Sequence, residues 1–158
     1  GCKAQEVAQK ISSALGKLNY RGPISITAYG NMNHIPPSVK KALFSTGVVL
    51  NHVHVNSRQY RLHIFREVLY WEDPAPANLM LISRDEGLAS TLSDQQSKGY
   101  NVLLAHPPNA SDEFVSSAKT TWLWSSLLKE PLMSSQTCHN SHPNIGTTTE
   151  KTQAEASF

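Results

Sequence analysis

Two adjacent carboxylates, Asp85 and Glu86, follow a short apolar segment, Asn78–Ser83, in this 158-residue chain. A nearly continuous apolar run of this length is typical of a strand that is buried on both faces of a parallel sheet. The carboxyl end of such a strand borders the crevice in which α/β proteins bind ligands. Asp85 is therefore a candidate ligand for a metal ion. An aspartate here also suits the cap of the following helix, and the residues alone leave both roles open.

Histidines provide two further candidates for metal binding. His52 and His54 lie on one face of a predicted strand, and imidazole nitrogens are common zinc ligands. Cys138, His139 and His142 form a second group within a polar segment. A structural zinc site normally has four ligands, and neither group supplies four. Exposed histidines on a sheet, and a polar tail without a metal, are the simpler interpretations.

Aromatic and basic side chains could contact nucleic acid. Trp122 and Trp124 could stack on bases, although they also suit the anchoring of a helix to a sheet. Cations that could contact phosphates are Lys40, Lys41, Arg61 and Arg84. Such residues also occur on an ordinary solvated face, so their presence does not by itself predict nucleic-acid binding.

The composition predicts one globular domain and excludes several other classes. Hydrophobic residues make up 39% of the chain and charged residues 16%, with a formal net charge of +2. This charge is too small to predict nucleic-acid binding by itself. No apolar run approaches the roughly 20 residues of a membrane span. Cys2 and Cys138 lie near opposite ends, which favours reduced thiols in an intracellular compartment over a disulfide framework.

Helices and strands alternate along the predicted fold. Apolar residues at helical spacing predict helices over 3–18, 38–46, 58–72 and 87–98, and a last helix from a cap at Ser111 to about Lys129. Runs rich in β-branched or apolar residues predict strands over 24–29, 48–55, 78–83 and 101–105. This order predicts an α/β sandwich with a mostly parallel sheet.

The two ends of the chain depart from this alternation. A helix comes first with no strand before it, so we expect that an opening central strand lies upstream of Gly1 and is missing here. Without that strand we expect the isolated chain to be marginally stable, unless strands rearrange or a partner fills the gap. Ser, Thr, Asn, Gln and Pro dominate residues 131–158, which predicts a disordered polar tail or linker.

The stretch Leu81-Ile82-Ser83-Arg84-Asp85 resembles the signature of the NYN domain, in which a strand ends in Ser-Gly-Asp-x-Asp-Phe. The similarity extends over residues 1–130, an NYN (PIN-like) domain that would be incomplete at its amino end. Several segments look like plant NYN proteins related to the meiosis arrest female, or limkain-type, family. Segments that carry the similarity include Ile24–Gly30, Ile35–Val39, Ala42–Leu50, Leu69–Trp71, Pro74–Asn78 and Tyr100–Pro107. The resemblance implies a PIN-like three-layer α/β sandwich.

The resemblance also implies a metal-dependent endoribonuclease or an RNA-binding regulator. Family nucleases gather carboxylates around Mg²⁺ or Mn²⁺, and this comparison makes Asp85 the retained metal ligand, with Glu67 and Glu86 as catalytic helpers. The family's opening Asp-x-Glu-Asn motif is absent. Arg61 falls near the middle acidic position and Gly87 falls on the second aspartate, while Arg84 replaces the glycine of the signature.

These departures predict that the chain is catalytically degenerate, with arginines that bind phosphate where carboxylates would bind metal. The resulting hypothesis is an RNA-directed regulator of gene expression that binds single-stranded RNA, in the cytoplasm or in peroxisomes as the family resemblance implies. An active metal-dependent endoribonuclease and a non-catalytic protein-interaction scaffold are the alternatives. Self-association or a protein partner is compatible with all three hypotheses.

Overall fold

Helices and strands alternate in the structure, a computed structural model that describes residues 3–54, 57–69, 74–129, 131 and 152–157. The helices are α1 (Val7–Lys17), α2 (Pro37–Ser45), α3 (Ser57–Leu69), α4 (Ala89–Ser97), α5 (Asp112–Ser116) and α6 (Trp124–Lys129). The strands are β1 (Ile24–Gly30), β2 (Val49–His52), β3 (Asn78–Ile82), β4 (Asn101–His106), β5 (Thr120–Leu123) and β6 (Thr152–Ser157). Single 3-10 turns, Ala4–Glu6 and Glu86–Leu88, precede α1 and α4.

The described strands form one sheet in the order β2-β1-β6-β3-β4-β5, and every neighbouring pair is parallel. Parallel strands with helical crossovers confirm the α/β fold that the alternation predicted. Because all strands run in the same direction, their carboxyl ends meet at one edge of the sheet. We call this the carboxyl edge.

Helices cover both faces of the sheet and give three layers. Side chains alternate between faces along a strand, so Met80 and Ile82 of β3 join one hydrophobic core while Leu79 and Leu81 join the other. The first core receives residues of α1, α2 and α6, and the second receives residues of α3, α4 and α5. The layered arrangement agrees with the PIN-like expectation.

Sequence signals for helix boundaries agree with the structure at several points. Ile11 and Leu15 are completely buried on one stripe of α1. Gly47 and Gly99 follow α2 and α4 with positive φ angles of 85° and 94°, the conformation that glycine adopts most readily after a helix. Ser111 caps α5 through its Oγ atom, which accepts a hydrogen bond from the Phe114 backbone N–H at 3.3 Å.

The prediction of one long helix from Ser111 to about Lys129 is wrong. Helix α5 ends at Ser116, and Thr120–Leu123 then forms β5, which pairs in parallel with β4. Two adjacent threonines and Trp122 favour an extended backbone, because β-branched and aromatic side chains pack well on a sheet. Pairing with an available strand edge therefore outweighed the helical spacing of the apolar residues.

Strand β6 comes from the segment for which the sequence predicted a disordered tail. The structure differs from that expectation at Thr152–Ser157, which lies between β1 and β3 and pairs with both. Ala154, for example, is in register with Ile26 on one side and Met80 on the other. The central sheet position that was expected to be empty is thus filled by this strand. The domain extent of 1–130 stays a prediction, and residues 132–151 lie outside the described part of the chain.

Within the described residues, the helices are too short or too polar to cross a membrane.

Candidate functional site

The loop after β3 holds Asp85 in a defined position at the carboxyl edge. Ser83 is buried, and its Oγ accepts a hydrogen bond from the Asp85 backbone N–H at 3.0 Å. Asp85 Oδ1 in turn accepts from the Gly87 backbone N–H at 3.0 Å and caps the 3-10 turn Glu86–Leu88. The capping role that the sequence left open for Asp85 is therefore present.

Asp85 also forms a two-pronged ion pair with Arg61, which reaches it from α3. Arg61 Nε donates to Oδ2 at 2.9 Å, and the Arg61 Nη2 atom donates to Oδ1 at 2.8 Å. Parallel hydrogen bonds between a guanidinium and a carboxylate are charge-assisted and geometrically specific. The hydrogen bond, and then the Coulomb attraction of Asp85, raise the pKa of the Arg61 guanidinium above its ordinary value. Arg61 therefore stays charged, and both carboxylate oxygens of Asp85 are engaged.

The Arg61 guanidinium, in the position that it occupies, leaves no room for a side chain at Gly87. A Cβ atom at this position would lie 2.5 Å from Cζ and 2.7 Å from Nε of Arg61. These separations are far below ordinary contact, so the guanidinium occupies the space of a residue-87 side chain. Arg61 and Gly87 therefore fit together geometrically.

The other predicted acids do not gather around Asp85. Glu86 Oε1 accepts a hydrogen bond from the Ser111 backbone N–H at 2.9 Å, which directs this carboxylate toward the start of α5. Glu67 is exposed on α3. In the described part of the chain, no group of three His, Cys, Asp or Glu side chains is placed to hold a metal ion. The catalytic roles of Asp85, Glu67 and Glu86 stay predictions.

The donors around Asp85 do not fit a resident Mg²⁺ or Mn²⁺ ion. Hard divalent cations require several oxygen ligands, usually with more than one carboxylate. Here the single well-placed carboxylate has a guanidinium against both of its oxygens, only 15% of its side-chain surface being exposed. A cation entering this position would have to displace Arg61, so the arrangement suits charge neutralisation better than metal coordination.

The predicted phosphate-binding cations have unequal surroundings. Lys40 Nζ donates to the Met32 backbone carbonyl at 3.1 Å, and Lys41 is exposed beside it on α2. Arg84 is exposed directly after β3, and within the described residues it forms neither a hydrogen bond nor an ion pair. Arg84 is therefore a cation at the carboxyl edge that can meet an anionic ligand without losing an internal partner.

A cavity of about 340 Å³ opens at the carboxyl ends of β3 and β4. We call it the Trp124 cavity; its lining residues are Ile82, Ser83, Arg84, Ala105, His106, Pro107, Pro108, Trp124 and Ser125. The sequence marked Arg84 and Trp124 separately and did not place them at one site. It also missed His106, whose signal was a histidine at the end of a buried strand, directly before two prolines.

The histidine pair and the remaining candidates lie elsewhere. His52 and His54 form an edge-to-face ring contact with centroids 4.7 Å apart, and His52 Nδ1 accepts a hydrogen bond from the Met32 backbone N–H. Trp122 packs against the first core from strand β5, so it does not anchor a helix to the sheet as the sequence predicted; Trp124, on α6, packs against the same core. The predicted group Cys138, His139 and His142 lies outside the described residues.

Comparison with known proteins identifies the family. The NYN domain model matches residues 1–124, a range that contains Arg61, Asp85 and Gly87. A search among curated proteins finds no similar sequence. The match covers well over half of the chain and agrees with the parallel α/β sandwich. The chain therefore belongs to the NYN domain family and has its RNase-like fold.

Proposed function

We propose that this chain is an RNA-directed regulator of gene expression that acts by binding RNA and has lost the catalytic chemistry of its fold. NYN domains generally bind RNA, and membership in the family supports an RNA ligand. The single observation that carries the proposed loss of catalysis is the ion pair between Arg61 and Asp85. Asp85 is the metal ligand that the family resemblance implies, and in this ion pair a guanidinium lies against both of its oxygens.

Positive charge beside Asp85 raises the free energy of binding a divalent cation there. Hydrolysis of a phosphodiester by nucleases of this family uses a divalent cation, which activates water and stabilises developing charge. A cation bound to Asp85 would replace two charge-assisted hydrogen bonds. It would also lie near a guanidinium, and unit charges about 4 Å apart repel by roughly 1–4 kcal/mol at dielectric constants between 80 and 20. The ion pair therefore opposes metal binding and leaves RNA association as the supported activity.

Exposed cations at the carboxyl edge support contact with RNA. Arg84 is exposed directly after β3, and the partly exposed Lys40 is held near the end of β1 by its hydrogen bond to the Met32 backbone carbonyl. Each phosphate that such a residue neutralises releases counterions, so affinity falls as salt rises. With a net charge of only +2, we expect modest affinity that depends on these local cations more than on overall charge.

The test combines binding and cleavage in one experiment. The full 158-residue chain is incubated with fluorescent single-stranded RNA, with Mn²⁺, with Mg²⁺ and with chelator, and anisotropy and RNA length are both recorded. We expect binding without cleavage, at an affinity that the chelator does not change. Asp85→Ala should leave this binding largely intact. Cleavage that disappears with chelator and with Asp85→Ala would instead assign the chain as an active endoribonuclease using Asp85, Glu67 and Glu86.

A third outcome would favour a protein-interaction scaffold. In that case RNA would fail to bind at any salt concentration, although the chain remains folded by circular dichroism. This result would remove both RNA-based functions together, because a nuclease must also associate with its substrate.

We also propose a finer family assignment, to the plant meiosis arrest female or limkain-type proteins. The segments between Ile24 and Pro107 that resemble those proteins support it. The same resemblance supports a location in the cytoplasm or in peroxisomes. Fluorescence microscopy of the tagged chain in plant cells tests the location, and a signal confined to another compartment would contradict it.

A further inference from the structure

We propose that the Trp124 cavity binds one unpaired nucleotide of an RNA strand, with the base inside the cavity and the phosphate on Arg84. This inference rests on the proposed RNA-directed function and adds the place at which a nucleotide is held. It requires no metal ion and no contribution from Asp85.

The walls of the cavity suit the flat apolar faces of a nucleobase. Ile82 and Ala105 are buried at its base, at the ends of β3 and β4. The indole of Trp124 is half-buried and packs against the first core, so one aromatic wall is held in place. A volume of about 340 Å³ is within the range of pockets that enclose small molecules. Unpaired bases stack on such aromatic side chains, whereas a base inside a duplex is not free to enter.

Polar groups at the cavity match the rest of a nucleotide. Arg84 is exposed and without an ion-pair partner among the described residues, and a guanidinium can grip a phosphate through two parallel hydrogen bonds. His106 Nδ1 lies 2.8 Å from the Pro107 carbonyl oxygen, and it must donate because a carbonyl oxygen only accepts. Nε2 of the neutral ring is then an acceptor, which suits an N–H group on a base edge.

The position of the cavity favours a strand of RNA over a free nucleotide. It lies at the carboxyl edge, where parallel α/β sheets bind ligands. Lys40 Nζ donates to the backbone carbonyl of Met32, two residues after β1, so this charge lies near the same edge. A strand anchored by one base in the cavity would therefore continue along an edge that carries further positive charge.

The experiment fills the cavity without removing a core contact. Ser125 lines the cavity on α6, and Ser126 is its exposed neighbour on the same helix, so Ser125→Phe and Ser126→Phe are matched variants. Arg84→Gln is matched by Lys98→Gln, which removes one exposed positive charge between α4 and β4, at the opposite edge of the sheet. Anisotropy with a fluorescent single-stranded RNA gives the affinity of the full chain and of each variant.

We expect Ser125→Phe to weaken binding by roughly ten-fold, the scale of one lost base–aromatic stack. Arg84→Gln should weaken it by several-fold, while both control variants stay within about two-fold. On an oligomer without bases, the effect of Ser125→Phe should disappear and that of Arg84→Gln should remain. This last contrast separates a base pocket from a general disturbance of the fold, which would affect both oligomers equally.

Other results would overturn the proposal in distinguishable ways. If RNA binds and Ser125→Phe behaves like Ser126→Phe, the cavity does not hold a base, although the proposed function stands. If no RNA binds, the proposed function fails as well, and adenosine and uridine 5′-monophosphates are then titrated by tryptophan fluorescence. Quenching that Ser125→Phe abolishes would assign the cavity to a free nucleotide instead of RNA, and no quenching would remove both ligands.

Discussion

Arg61 and Arg84 point to the same edge of the sheet, yet their surroundings differ completely. Arg61 reaches from α3 and places two nitrogens against the oxygens of Asp85. Arg84 precedes Asp85 directly in the chain, but it is exposed and pairs with no described carboxylate. Two arginines near the same aspartate therefore differ in whether a carboxylate already neutralises their charge.

The difference shows that residue type alone does not identify a ligand-binding cation. Arg61 is engaged by Asp85, and the lack of a side chain at Gly87 leaves space for its guanidinium beside the loop. Arg84 stays available because it lines a cavity and faces no internal anion among the described residues. Arg61 therefore occupies the position beside Asp85 that a metal ion would need, whereas Arg84 can bind an anionic ligand such as a phosphate.

The largest expected effect comes from reversing the charge at the occupied site. The double variant Arg61→Glu with Gly87→Asp removes the guanidinium and places two further carboxylates near Asp85. We expect it to bind Mn²⁺ with a dissociation constant on the order of 0.1–1 mM, as weak all-oxygen sites do, whereas the parent chain shows no saturable binding. Isothermal titration calorimetry measures this.

Gly87→Asp alone is the matched control for that variant. Its Cβ atom would displace the Arg61 guanidinium, but this flexible side chain can still pair with the two carboxylates, so we expect no gain in Mn²⁺ binding. Equal Mn²⁺ affinity for the parent and the double variant would show that Arg61 does not block metal binding.

The next effect is on the stability of the loop that carries the ion pair. Asp85→Ala removes the acceptor that caps Glu86–Leu88 together with both hydrogen bonds to Arg61. We expect the free energy of unfolding to fall by about 1–2 kcal/mol, mostly from the lost cap, because the half-exposed guanidinium regains water. Urea denaturation measures the change. Asp85→Asn keeps an oxygen for the cap and should cost less; an equal loss for both variants would contradict the capping contribution.

A smaller effect distinguishes the two arginines in RNA binding. Arg84→Gln should reduce the slope of log affinity against log salt by about one, as expected for one lost phosphate contact. Arg61→Gln should leave the slope unchanged, because that guanidinium already pairs with Asp85. Anisotropy titrations at several salt concentrations measure both slopes. A larger change for Arg61→Gln than for Arg84→Gln would reverse the comparison.

The smallest expected effect is that of Gly87→Ala. The added Cβ would overlap Arg61, but the overlap is with the far end of a flexible side chain, which can move into solvent. We expect a loss of about 0.5 kcal/mol or less, the scale of an exposed ion pair. Chemical shifts of the Arg61 side-chain Nε–H should change to those of a solvated guanidinium. An unchanged shift would show that the close approach does not require glycine.

Most of the fold could be predicted because the spacing of apolar residues along the chain matches the side chains that are buried in the two cores. The apolar spacing of α1 and the continuous apolar run of β3 both reflect burial in the two cores. Thr120–Leu123 was mispredicted because its apolar spacing also suits a helix, and only the neighbouring edge of β4 favours a strand. Strand β6 was not predicted because its sequence lacks an apolar run. Its pairing with β1 and β3 uses backbone hydrogen bonds, which depend little on side-chain type.

The candidate site was less predictable because it depends on distances between separate elements. The sequence identified Asp85 after a buried strand, and the family resemblance suggested that Arg61 falls near an acidic position. It could not show that Arg61 reaches Asp85, or that Gly87 makes room for it, because α3 and the loop after β3 meet only in three dimensions. The Trp124 cavity combines residues that follow β3, β4 and β5, and spacing along the chain does not reveal such a meeting.

The position of β6 sets the order in which this sheet can assemble during synthesis. Among the described strands, β1 bonds to β2 and β6, while β3 bonds to β4 and β6, so β6 alone joins the two halves. Both halves leave the ribosome before Thr152–Ser157 does, and among the described strands only β6 pairs with their facing edges. Contacts between distant residues form slowly, and exposed strand edges invite pairing with other chains. Newly made molecules would therefore pass through a stage in which the other described strands form two separate groups, before β6 joins them.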